Sequence, residues 1–414
     1  MITTPTLRRR SMAGVLSIAL LGAVTACGSN PTASPGDESQ EGPIKVGVAL
    51  GLTGPAAATG SWSRMGVELA AEEINADGGV DGRQIELVMA DTELDPTKAV
   101  TATNRLVSQE EVDLVIGPNT SDESLAMLPI LTRANIANIN GSGSAITPDV
   151  APLGFALLPN AEAQGQRMVE VAVEEYGGKR IAIVHYDGTQ GKVAADSMVG
   201  ALEERGMKPA TVQEFSAQST DLTPQLLEVQ ASGADVILSF NQTGTDTGRL
   251  ILGLDQVNSD VPVVGSYGST FATQTMGVAG KDAYSNFKAV TWSAFSTCDS
   301  DAVRPAVTDF VADAEEMFGD DAAWETVSLD YMAIWRDALH LLAAAVEGTG
   351  STDGEAVTEW LESEAVDNEE TLGLVHEGFA MSDTNHFLMD TDSLAWVDPG
   401  TEQSPGIFTR LDCD

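Results

Sequence analysis

Two stretches of this chain place hydroxyls and glycines directly after short apolar runs. Gly117-Pro118-Asn119-Thr120-Ser121 follows Leu114-Val115-Ile116, and Asn140-Gly141-Ser142-Gly143-Ser144 follows Ile136-Ala137-Asn138-Ile139. Each reads as the carboxyl end of a strand passing into a helix or loop. Exposed backbone N–H groups and a helix dipole make such a junction suited to holding an anion without covalent chemistry. The glycines permit close backbone approach to a ligand. The plain alternative for Ser121 is an N-cap, because Ser is preferred there in any case. As a nucleotide signal the Gly-x-Gly is very weak, and no Lys follows it for a phosphate.

Residues for catalysis are poorly arranged. His185, His340, His376 and His386 show no metal-ligand spacing and no His-Glu-x-x-His. No Gly-x-Ser-x-Gly elbow is present. Asp and Glu are too abundant for any pair to signal acid–base chemistry without geometry. The pattern predicts capture rather than turnover, with neither cofactor nor metal. A surface α/β hydrolase is the enzymatic rival.

The chain has 414 residues and a formal net charge of −41, from 62 Asp+Glu against 21 Lys+Arg. Such a surface excludes nucleic acid, whose phosphates need a basic face. It equally excludes adhesion to anionic lipid through protein charge. It reads as a solvated, self-repelling surface, or as adaptation to a saline or acid habitat.

The amino terminus supplies a different attachment. Arg8-Arg9-Arg10, the apolar run Met12–Val24 and the small residues before Cys27 have the form of a secretory signal. Val24-Thr25-Ala26-Cys27 resembles a bacterial lipobox, which implies lipidation of Cys27 as the first mature residue. A plain cleaved signal or an N-terminal anchor are the alternatives. Gly28 to Pro43, rich in Ser, Pro, Gly and acid, reads as a disordered tether. For an exported protein, the remaining cysteines, Cys298 and Cys413, suggest a disulfide between polar loops. Two free thiols are the alternative.

From Ile44 onward strands and helices alternate. Ile44–Leu50, Ile85–Met89, Leu114–Gly117 and Ile136–Ile139 read as strands, with helices over Trp62–Ala76, from Asp95-Pro96 and from Ser121. The pattern restarts after Pro159, with strands at Arg180–His185, Thr211-Val212, Ala234–Leu238 and Pro262–Gly265. This is the signature of two α/β units with parallel sheets covered on both faces. A further section, Ala289–Trp292 followed by helices over Ala302–Met317 and Trp324–Val346, has too few strands for a domain of its own.

These residues resemble a known family. Ile44-Lys45-Val46-Gly47 with Leu52-Thr53-Gly54-Pro55, the run Ala71–Val80, Asp95–Ala99, Val115-Ile116-Gly117 and Arg180–Val184 are similar to branched-chain amino-acid-type solute-binding proteins of ABC importers. The resemblance implies a two-lobed type I periplasmic-binding-protein fold, two Rossmann-like lobes joined by a three-segment hinge. Residues 44–159 and 288–383 would form the first lobe, and 160–287 and 384–414 the second. Crossings would fall near Leu158-Pro159-Asn160, Asn286–Ala289 and Met381–Phe387. The implied partners are a small-molecule ligand, membrane permease subunits and, through lipid, the membrane; a monomer is expected. A sensory receptor feeding a signalling partner is the functional rival.

The resemblance also implies site residues. Ser121 would hold a ligand carboxylate through hydroxyl and N–H, Ser142 would contribute its carbonyl, and Ser144 its hydroxyl and amide. Trp62, Thr59 and Tyr331 fall at pocket positions, although core packing is the default for Trp62 and Tyr331. Gln190 and Gln242 stand where amino-acid binders carry aromatics, and Tyr267 replaces the acid that pairs with an α-ammonium. Burying an ammonium without such a partner is costly. A neutral or anionic metabolite is therefore expected to bind better than leucine.

Overall fold

The computed structural model describes residues 42–54, 57–216, 219–299, 303–366, 374–376, 379–404 and 406–413. Cys27, its signal and nearly all of the tether lie outside the described residues. No helix among the described residues is long and apolar enough to cross a membrane.

The first lobe begins with β1 (Ile44–Leu50), α1 (Ala57–Ala76), β2 (Ile85–Asp91), α2 (Pro96–Arg105), β3 (Leu114–Ile116), α3 (Ser121–Ala134), β4 (Asn138–Asn140) and β5 (Gly154–Ala156). Its five strands pair in the order β2-β1-β3-β4-β5, all parallel. Local chemistry starts α2 and α3 where the sequence predicts a start, whereas α1 begins at Ala57, five residues before the expected Trp62. The Asp95 carboxylate accepts from the N–H groups of Thr97 and Lys98 ahead of Pro96, and Thr120 caps α3 through the Glu123 N–H.

The second lobe contains α4 (Ala161–Glu174), β6 (Ile181–Tyr186), α5 (Thr189–Glu204), β7 (Thr211–Phe215), α6 (Thr223–Ser232), β8 (Val236–Phe240), α7 (Gly244–Gln256), β9 (Val263–Gly265), α8 (Ala272–Ala279) and β10 (Phe287–Trp292). After β11 (Ser296–Thr297) come α9 (Pro305–Phe318), α10 (Leu329–Thr349) and α11 (Gly354–Ser363), then β12 (Leu394–Ser404) and β13 (Ile407–Arg410). The second sheet runs β11-β13-β12-β10-β9-β8-β6-β7, parallel from β7 to β10 and antiparallel where β12 enters.

Strand pairing corrects two of the expected crossings. Residues 286–289 do not leave the second lobe, because β10 pairs with β9 on one side and β12 on the other. The chain stays in that sheet through Thr297. At the other end, Ala156 N–H donates to the His386 carbonyl, and Leu388 N–H to that of Ala156, so 386–388 still adjoin the first sheet. The chain returns to the second sheet only at Leu394. The expected bounds of 288 and 383/384 are each too early. The pairing of backbone hydrogen bonds in this chain, not the resemblance, fixes where the crossings fall.

The helical section belongs to the first lobe. Trp335, Leu339, Leu342 and Val346 of α10 are buried in the same core as Ile44, Val46, Trp62 and Ile74. Gly66 of α1 makes this packing possible, since a Cβ there would stand 2.2 Å from the Met332 carbonyl oxygen. Helix α9 starts at Pro305, and Trp324–Thr326 is a separate 3₁₀ turn before α10. Asp337, fully buried in α10, accepts from the His376 N–H at 2.8 Å and from its ring Nδ1 at 2.9 Å. Burial alone would raise the Asp337 carboxyl; His376, with Arg336 beside it, holds it below its ordinary range instead.

Cys298 and Cys413 are joined by a disulfide, with Cα atoms 5.9 Å apart and a sequence separation of 115. Closing so long a loop constrains the unfolded chain by roughly 4–5 kcal/mol as an upper figure. The paired Cys298→Ser and Cys413→Ser variant should unfold at lower urea than the parent. Reduction should lower the parent to the same midpoint while leaving the variant unmoved.

Candidate ligand-binding site

A small cavity lies between the lobes, lined by Thr59, Leu94, Asn119, Thr120, Gln190, Gln242, Thr243, Tyr267, Phe271 and Tyr331. Nine of these ten follow the carboxyl ends of strands: Thr59 follows β1, Leu94 β2, Asn119 and Thr120 β3, Gln190 β6, Gln242 and Thr243 β8, Tyr267 and Phe271 β9. Tyr331 comes from the first turn of α10. Carboxyl edges of open α/β sheets are where ligands bind, and here both edges open on one gap.

Asn119 organises the first-lobe wall. Its Oδ1 accepts from the Gly51 N–H at 2.8 Å, and its Nδ2 donates to Ser63 Oγ at 2.9 Å and to the Tyr331 hydroxyl at 3.4 Å. One amide therefore ties the loop after β1, helix α1 and helix α10 to the end of β3. Rings continue the lining from Tyr331 of the first lobe into the second lobe. Phe271 meets Tyr331 edge-on at 5.3 Å and Tyr267 at 6.0 Å. Burial pushes the Tyr267 phenol well above its ordinary pKa, and that of Tyr331 up as well, so both stay protonated.

The serines lie together just outside this lining. Ser121 Oγ accepts from the Gly143 N–H at 3.3 Å and from Ser144 Oγ at 3.2 Å, and all three serines are buried. Ser142 Oγ has no hydrogen-bond partner, and the Ser142 carbonyl accepts from the Leu158 N–H at 3.3 Å. Across the gap, Gln190 Nε2 presses so closely on Gly143 that a Cβ there would stand 1.9 Å from it. The lobes also meet at Asp122, whose carboxylate accepts from the hydroxyl and N–H of Thr189.

Of the residues predicted from sequence, Thr59, Gln190, Gln242, Tyr267 and Tyr331 line the cavity. Trp62 does not. It is wholly buried behind the wall, edge-on to Phe271 at 5.4 Å and to Tyr331 at 6.3 Å. Leu94, Asn119, Thr120, Thr243 and Phe271 line it without having been singled out. Asn119 and Thr120 sit inside the stretch ending in Ser121, and Thr243 directly follows Gln242, so adjacency in sequence could have found them. Nothing local marks Leu94 or Phe271.

With this geometry in place, the comparisons with known proteins are decisive for the family. The family model described as "Periplasmic binding protein" matches residues 43–396. The chain belongs to the periplasmic binding protein family. An amino acid binding protein of Pseudomonas aeruginosa is 27% identical over 327 residues, 78% of this chain and 83% of that protein. A Leu/Ile/Val-binding protein homolog of Brucella melitensis is 24% identical, covering 76% of this chain and 81% of that one. Among solved structures, a type 1 periplasmic binding protein of Bordetella pertussis superposes with a TM-score of 0.75 at 24% identity, over 86% of this chain and 96% of that one. The branched-chain amino acid transporter substrate binding protein of Streptococcus pneumoniae, in complex with isoleucine, gives 0.73 at 22% identity, over 89% and 99%. At such identities the structural likeness shows the fold: a type I periplasmic binding protein with two α/β lobes.

A further buried acid of this periplasmic binding protein spans the lobes close to the cavity. Asp330 of α10 accepts from Ser328 Oγ and from the Tyr331 N–H at 2.8 Å within the first lobe. It also accepts from Thr270 Oγ1 at 3.3 Å and Thr291 Oγ1 at 3.5 Å in the second. Burial, opposed by these hydrogen bonds, leaves its carboxyl raised. A group whose folded pKa exceeds its unfolded one stabilises the fold at low pH, and that contribution is lost as pH rises through the folded value. Asp330→Asn should therefore gain stability relative to the parent between about pH 4 and pH 7, read from urea midpoints at both ends of that window. A constant difference between the two proteins would show that Asp330 is ionised in the fold throughout.

Proposed function

We propose that the protein is an extracytoplasmic, lipid-anchored solute-binding receptor of an ABC importer. It captures a small polar metabolite, an amino acid, amide or carboxylic acid, between its lobes by hinge closure, and it carries out no chemistry. The observation that carries this reading is the cavity itself: residues from the strand ends of both lobes line one gap, and Gln190 reaches from the second lobe to Gly143 of the first. Closure about a hinge buries a ligand in such a gap. The names of relatives support the class of solute, since several are Leu/Ile/Val-binding proteins. Attachment through Cys27 supports delivery to membrane permease subunits, because the acidic surface does not favour anionic lipid.

A thermal-shift screen of the signal-less protein against amino acids, amides and carboxylic acids tests capture. A ligand at 100 times its Kd should add about 2.7 kcal/mol of stability. Ser121→Ala should weaken binding of the best ligand by roughly 1.5–3 kcal/mol if Ser121 makes a charge-assisted contact. Unchanged affinity would remove Ser121 from the site, and an empty screen with no compaction in small-angle scattering would remove the receptor reading.

Anchoring is tested separately. Mass spectrometry of the membrane-extracted protein should find an acylated N-terminal Cys27, and Cys27→Ala should release the protein into the soluble fraction.

A further inference from the structure

We infer that the interlobe cavity selects an uncharged ligand with a carbonyl oxygen, a small carboxamide, and that Gln190 is the residue that reads it. This rests on the receptor reading above and narrows it to one chemical class.

Among the described residues, no Asp, Glu, Lys, Arg or His lines the cavity. Its two titratable lining groups, Tyr267 and Tyr331, are held protonated by burial. An ammonium would be buried without a carboxylate in contact, and a carboxylate without a cation, each at high cost.

The helix N-termini facing the gap do not reverse this. Thr120 and Thr243, one from each lobe, cap α3 and α7 in matching ways. Thr120 Oγ1 donates to Glu123 Oε2 at 2.8 Å, and Thr243 Oγ1 donates to Asp246 Oδ2 at 2.8 Å. Each hydroxyl accepts the backbone N–H of the same acid in return. The positive end of each helix thus has a carboxyl group of its own directly behind the cavity wall. Burial raises both carboxyls, and Arg249, the cation nearest Asp246, is paired with it at 3.2 Å. An incoming anion meets dipoles already answered by acids.

Gln190 supplies the positive requirement. It is 95% buried, its Oε1 accepts from the Tyr186 hydroxyl at 3.4 Å, and it lies beside the Tyr267 phenol. At most one of its two Nε2 N–H groups is engaged, by the Tyr267 phenol, although Gln190 is buried and lines the cavity. A buried amide N–H without a partner calls for an acceptor. A ligand carbonyl would complete it. Gln242 lines the same cavity from the end of β8, and a primary amide group on the ligand can give an N–H to its side-chain oxygen. Two glutamines and no charge are the complement of a carboxamide.

Calorimetry with ligands that share one branched carbon skeleton separates charge from shape. Isovaleramide should bind at least tenfold more tightly than isovalerate or leucine, with an affinity that does not change between pH 6 and pH 8. Gln190→Leu should weaken isovaleramide at least tenfold, and because it also orphans the buried Tyr186 hydroxyl, Gln190→Glu, which keeps an acceptor for that hydroxyl, serves as the second variant and should weaken it too. Leucine or isovalerate binding as tightly as isovaleramide would overturn the inference while leaving the receptor reading in place. So would isovaleramide binding that Gln190→Leu leaves unchanged, or no binding by any of the three. The receptor reading falls only if the wider metabolite screen is also empty.

Discussion

The packing of α10 on α1 is the contact on which the site depends. The chain reaches α10 only after it has built most of the second sheet, and it must then rejoin the first lobe. It does so through a close helix pair in which Gly66 lets the Met332 carbonyl approach the α1 backbone. That approach sets Tyr331 in the cavity lining and within reach of Asn119, so one first-lobe wall is made of residues far apart in sequence. A side chain at position 66 would push α10 outward and take Tyr331 with it. Packed interiors transmit such a shift rather than absorbing it.

The two lobes reach the same solution from different residues. Each ends a central strand in a Thr that caps the next helix and donates to an acid three positions on, Thr120 to Glu123 and Thr243 to Asp246. Each presents that Thr to the gap. The lobes differ in what stands beside it: buried serines and a rigidly held Asn119 in the first, and Gln190, Gln242 and Tyr267 in the second. The first lobe is a more fixed surface, with Asn119, Ser121 and Ser144 paired among neighbours and Ser142 Oγ alone of these without a partner. The second carries the side chains with capacity left over.

Much of this was legible in the sequence, and the reasons are local. Strand runs such as Ile181–His185 and caps such as Asp95-Pro96 declare themselves within a few residues, and the serines and glutamines sit immediately after such runs. The partition between lobes was less legible. Ala289–Trp292 looks like an isolated strand before a helical section, and nothing in it announces that β12, more than a hundred residues later, will pair beside it. Met389–Ser393 carries the last crossing without any composition signal. Trp62 shows the opposite failure: its position pointed to the pocket, but a ring with no room beside it became the backing for Phe271 and Tyr331. Phe271 itself follows a short 3₁₀ turn, Tyr267–Thr270, whose place is set by β9 and not by its own residues.

The disulfide between Cys298 and Cys413 has a mechanical meaning as well as a thermodynamic one. The segment between these residues holds α9, α10 and α11 together with Tyr331, and it both leaves and re-enters the second lobe within the span of that one bond. A pull applied between the two ends of the chain passes from Cys298 straight to Cys413. The intervening residues lie on a closed branch that carries no tension. The wall that bears Tyr331 is thereby set off the covalent path between the two ends of the chain.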